Sequence, residues 1–64
     1  MDDWKITELE NFVNNAERSL WRAQLEHRKN ESLSLDTKHS AEQVKKRQAE
    51  YDFYQQELAA EKEA

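Results

Sequence analysis

The residues best placed to do chemistry in this 64-residue chain are His27, Glu31 and His39. His27 and Glu31 stand one helical turn apart, and His39 lies beyond a short polar stretch. A metal site needs three or four converging ligands, and two histidines with one carboxylate near a loop are weak grounds for one. The plainer expectation is that His27 sits at the edge of an apolar stripe and that His39 faces solvent. The chain has no cysteine, which removes thiol nucleophiles, thiolate metal sites and disulfides. It has no glycine, hence no Gly-rich phosphate loop, and no nucleophile–base spacing stands out. No enzyme activity and no cofactor are expected.

A second group centres on Trp21. Trp21 and Leu25 are four residues apart and touch on one helix face, roughly 100–160° from the main apolar stripe. Phe53 points away from the stripe of its own helix. Exposed aromatic clusters mark interaction sites, and Trp is favoured in binding hot spots. Trp21, Leu25 and Phe53, with Arg18 and Arg22, are therefore the candidate partner-binding residues. The blander reading is that Trp21 and Leu25 widen the apolar face to pack a second hairpin; the two coincide if the partner is another copy. Trp4 is expected to staple the open end.

Arg18, Arg22, Arg28 and Lys29 surround Trp21 and resemble a phosphate-contacting surface with a stacking residue. A solvated face is the preferred reading, because a net charge of −4 weakens phosphate affinity. Nucleic acid is thus the second-choice partner. Arg22 is expected to pair with Glu26, and Lys45-Lys46-Arg47 to be a solvated run.

What positions these groups is helix. Glycine and proline, the strongest punctuators of a fold, are both absent. The remainder is rich in Ala, Leu, Glu, Gln, Lys and Arg, all good helix formers. Ile6, Leu9, Phe12, Val13, Ala16, Leu20, Ala23 and His27 share one face at helical spacing. Ala41, Val44, Tyr51, Tyr54 and Leu58 make a thinner second stripe, diluted by Gln48 and Gln55. Between them, Asn30 to Thr37 holds residues that favour caps and turns. Asp2 or Asp3 is a candidate cap for the first helix, with Thr7–Glu10 as a second capping box. Ser34, Asp36 or Thr37 is a candidate cap for the second, and Ser40–Gln43 reads as a capping box.

The pattern predicts an all-α, single-domain helical hairpin over residues 1–64: helix about 3–30, connection about 31–36, helix about 37–62. Folding near Leu33–Ser34 sets residue i opposite about 67−i, so that Leu9 meets Leu58, Val13 meets Tyr54 and Ala16 meets Tyr51. The alternative is a single helix of about 95 Å in a long coiled coil, serving as a spacer. Its seam would pass through His27, Asn30, Ser34 and Thr37, which bury almost nothing.

The chain is 38% charged, with mean hydropathy −1.27. A two-helix monomer this polar is marginal, so a homodimer forming a four-helix bundle is expected. No stretch approaches the roughly 18 apolar residues of a membrane span, and the acidic start is unlike a secretory signal. The default expectation is a cytoplasmic location. The function expected is that of a small interaction module: a regulator, inhibitor, adaptor or co-chaperone acting through a helix face.

Overall fold

The computed structural model describes residues 3–63. Two helices, α1 (Trp4–Ser32) and α2 (Lys38–Glu63), pack against each other as a hairpin. The rod measures 53 × 13 × 11 Å. The continuous-helix alternative, about 95 Å long, is excluded by the reversal after Ser32.

The reversal is achieved without glycine. Ser34 adopts φ 57°, the left-handed conformation that usually falls to glycine at a helix end. Around it the backbone forms a Schellman arrangement. Leu35 N–H donates to the Asn30 carbonyl at 2.8 Å, and Ser34 N–H donates to the Glu31 carbonyl at 3.2 Å. Two carbonyls left over at the end of α1 are thereby satisfied. The hydrophobic contact that often accompanies this motif is missing, since Leu33 and Leu35 are both exposed.

Asp36, one of the three cap candidates, supplies the capping oxygen for α2: its Oδ1 accepts from Lys38 N–H at 3.0 Å. Thr37 contributes its carbonyl, which takes the first helical hydrogen bond from Ala41 N–H at 2.8 Å. Neither capping box forms. Ser40 lies inside α2, where its hydroxyl donates back to the Thr37 carbonyl at 3.0 Å. Thr7 lies inside α1, with its N–H bonded to the Asp3 carbonyl at 3.0 Å. Asp3 occupies the N-cap position without a side-chain cap bond. Asp2, the other candidate, falls outside the described residues.

The seam follows the expected register. His27 meets Ser40, and Phe12 stacks on Tyr54 with ring centroids 5.4 Å apart. Val13, Ala16 and Leu20 of α1 and Leu58 of α2 are buried; Ile6, Leu9, Ala23, Val44, Tyr51 and Tyr54 are half-buried. Ala41, expected in the second stripe, is exposed, and Ser40 takes its seat. The cause is helical pitch. Eighteen residues separate Ser40 from Leu58, about five full turns at 3.6 residues each, so a straight helix brings Ser40 rather than Ala41 onto the Leu58 line. α2 thus gives the seam a hydroxyl where α1 gives it methyls. No side chain among the described residues is fully buried.

Ser34 holds a conformation that costs an L-residue about 1 kcal/mol or more. Ser34→Gly is expected to raise stability by roughly 0.5–1 kcal/mol, after allowing for the extra chain entropy of glycine. Urea unfolding followed by circular dichroism measures this; a lowered midpoint would contradict the left-handed turn.

Candidate functional site

The first constellation to weigh is one the spacing did not single out. His27 Nδ1 lies 2.9 Å from Ser40 Oγ, and its Nε2 lies 3.4 Å from Glu31 Oε1. A serine, a histidine and a carboxylate in a row invite comparison with a catalytic triad. The geometry argues for a latch instead. Ser40 is only 4% exposed, whereas a nucleophile must reach its substrate. Its hydroxyl is also shared with the Thr37 carbonyl. The trio ties the last turn of α1 to the first turn of α2 and shuts the closed end of the hairpin. His39 is exposed and makes no hydrogen bond or ion pair with this group. Among the described residues no three His, Asp or Glu side chains converge as metal ligands would.

The large apolar side chains outside the seam fall on two different flanks. On the α1 wheel, Phe12 lies about 70° to one side of the buried line and Trp21 about 110° to the other. The first flank holds an aromatic groove of about 320 Å³ at the open end, walled by Trp4, Leu9, Phe12, Phe53 and Tyr54. Phe53 meets Tyr54 edge-on at 5.6 Å, and Tyr54 stacks on Phe12. Three aromatic rings from two helices thus form one ladder. Glu8, Glu57 and Glu61 rim the groove, with Lys5 beside Trp4. Trp4 is a wall of this groove and does not cover the open end, since it remains 61% exposed.

Toward the turn, the same flank opens into a polar hollow of about 820 Å³ that includes Ser19, Arg22, Glu26, His39 and Arg47. Trp21 stands on the opposite flank, in a hollow of about 530 Å³ with Asn14, Glu17 and Arg18. Trp21 is 56% exposed and Leu25 46%.

The predicted partner-binding set is therefore divided. Trp21, Leu25 and Arg18 belong to one flank, while Phe53 and Arg22 line hollows on the other. The basic cluster is divided too. Glu26 pairs with Lys29 at 3.2 Å and not with Arg22, and Arg47 pairs with Glu50 at 3.0 Å. Among the described residues Arg18, Arg22 and Arg28 make no ion pair; Arg18, Arg22 and Lys29 lie within about 40° of one another on the outer face of α1, and Arg28 stands apart from them. The aromatic groove went unrecognised in the sequence because it draws on both helices: Phe12 reads as a stripe residue, Phe53 as a stray and Trp4 as a terminal staple. Only the hairpin register brings them together.

Trp21→Ala is expected to change stability by no more than about 0.5 kcal/mol, as an exposed substitution on a helix does. Leu20→Ala, one residue away but buried, is expected to cost about 2 kcal/mol or more. Thermal unfolding of the two variants reads the difference directly; equal losses would place Trp21 in the core. No protein-family model, no curated protein and no solved structure matches this chain.

Proposed function

We propose that this chain is a small, non-enzymatic protein-interaction module that works through its helix faces. A second copy completes its core as a four-helix bundle, and the Trp21 flank stays open to another protein. One observation carries the reading: the largest apolar side chains are on the outside. Trp21, Leu25 and Phe53 are each about half exposed, as are Trp4 and Phe12, while the seam buries little beyond Val13, Ala16, Leu20 and Leu58. Such an inversion is costly in water unless the outer apolar groups are covered in the working state. Trp21 has the size and amphipathic character of a hot-spot residue, and Arg18 beside it supplies a charged rim. The non-enzymatic part of the reading is supported by the thinness of the layer, which offers no dry interior in which a base or nucleophile could be tuned.

A phosphate-bearing partner is the second reading, favoured by Arg18 standing unpaired beside Trp21. It ranks lower because Lys29 is paired with Glu26, Arg28 stands apart from the other three cations, and the chain is acidic overall.

Affinity capture with the tagged full chain, with and without nuclease, separates the two. The expected result is a protein partner that survives nuclease and is lost in Trp21→Asp, while that variant keeps its helical circular dichroism. Nuclease-sensitive recovery with affinity falling steeply in salt would favour the phosphate reading. Unfolding of Trp21→Asp would remove the open-flank assignment.

A further inference from the structure

The four-helix reading leaves open which flank meets the second copy and in which direction, and three observations bear on both. The first is area. The chain exposes 5230 Å², whereas a compact monomer of 7.7 kDa exposes about 4,300 Å². Two copies that each hide the excess would bury about 1,900 Å² together, within the range of a stable, specific interface.

The second is charge. Residues 3–12 and 52–63, the open third of the hairpin, carry seven acids against Lys5 and Lys62. Residues 13–51, the remainder that contains the turn, carry eight Lys and Arg against six acids. The rod is polarised along its length, acidic at the open end and basic toward the turn.

The third is where these charges meet apolar surface. On the first flank the aromatic groove is rimmed by Glu8, Glu57 and Glu61 with Lys5, and the neighbouring hollow toward the turn carries Arg22, free of an ion pair among the described residues, and Arg47, paired with Glu50, beside Glu26 and Asp36. Measured along α2 from Phe53, Glu61 and Arg47 lie about 10 Å away in opposite directions.

From this juxtaposition, which rests on the second-copy reading above, we propose that two chains pack antiparallel across the Trp4–Phe12–Phe53–Tyr54 flank. The two-fold axis crosses the rod near the level of Phe12 and Phe53. The aromatic ladder of one copy then lies on that of the other, and the glutamates of each open end face Arg22 and Arg47 of the second copy. Trp4 comes within reach of the second copy's Arg22, in the geometry of a cation over an indole. A parallel pair would instead lay seven acids over seven. The contact is isologous and closes on itself, which leaves Trp21 and Leu25 outside it.

The test combines sedimentation equilibrium of the full chain with introduced cysteines, which report cleanly because the chain has none of its own. The wild type is expected to be a dimer. Phe53→Asp is expected to weaken self-association at least about 30-fold, as loss of a central anchor does, and Trp21→Asp to leave it unchanged. Mixed Glu8→Cys and Ser19→Cys chains are expected to cross-link to each other in preference to themselves, since both positions lie on the first flank on either side of the axis. This arm reads orientation even where Phe53→Asp unfolds. Dimer loss in Trp21→Asp with retention in Phe53→Asp overturns the flank and leaves the second-copy reading standing. Self-linking of Glu8→Cys in place of the mixed pair overturns the orientation. A wild type that stays monomeric at every concentration overturns the second-copy reading and this proposal with it.

Discussion

Everything in this hairpin depends on turning the chain around without glycine or proline. The five residues Leu33–Thr37 must reverse direction, satisfy the last carbonyls of α1 and begin α2 in register. Ser34 accepts a left-handed conformation to do so, Asp36 caps the new helix, and the His27–Ser40–Glu31 latch fastens the two helices just beyond the turn. Because the turn is short and the latch fixes one pairing, every later pairing along the seam is determined. Phe12 reaches Tyr54 for the same reason that His27 reaches Ser40.

A seam set this way is narrow, and its two sides are unequal. α1 contributes Val13, Ala16 and Leu20 to the buried line, whereas α2 contributes Leu58 and a serine. Two helices in contact along one line each leave most of their circumference in water. For a chain with six aromatic side chains, that geometry sends rings to the flanks. The flanks differ in kind. One carries a ladder of rings edged by carboxylates, with arginines further along; the other carries a lone indole, a leucine and an unpaired arginine. The two flanks are the basis for proposing two different contacts, one with a second copy and one with another protein.

The architecture was legible because helical periodicity is a local signal. Absence of glycine and proline, two amphipathic stripes and a polar interval between them are enough to place both helices within about two residues of their observed ends and to give the register. The misplacements came from subtler physics. Ala41 suits the second stripe by residue type, but over the five turns from Leu58 the helical pitch carries Ser40, and not Ala41, into the seam. Ser40 and Thr7 were read as caps because their side chains suit that role; position relative to the turn decided otherwise. Grouping Trp21 with Phe53 followed from each pointing away from its own stripe. Distance from a stripe says nothing about which side of a hairpin a residue occupies, and that is settled only when two helices are set against each other. The unmet pairing of Arg22 with Glu26 has a similar origin: Lys29 on the next turn competes for the same carboxylate.

The closed end and the open end of this rod also differ in when they form. A turn that satisfies its own backbone, followed at once by a hydrogen-bonded latch, closes the smallest loop in the molecule, and loop-closure entropy favours contacts nearest that point. The helices therefore zip from Ser34 outward, through contacts of low sequence separation of the kind that let helical proteins fold quickly. Trp4, Phe53 and their glutamate rim lie at the far end of the zipper, where closing last and fraying first are expected, with amide protection expected to fall from the turn toward residues 4 and 63. In the proposed antiparallel pair, the second copy seated in that groove would hold the rod shut from the end that the turn cannot reach.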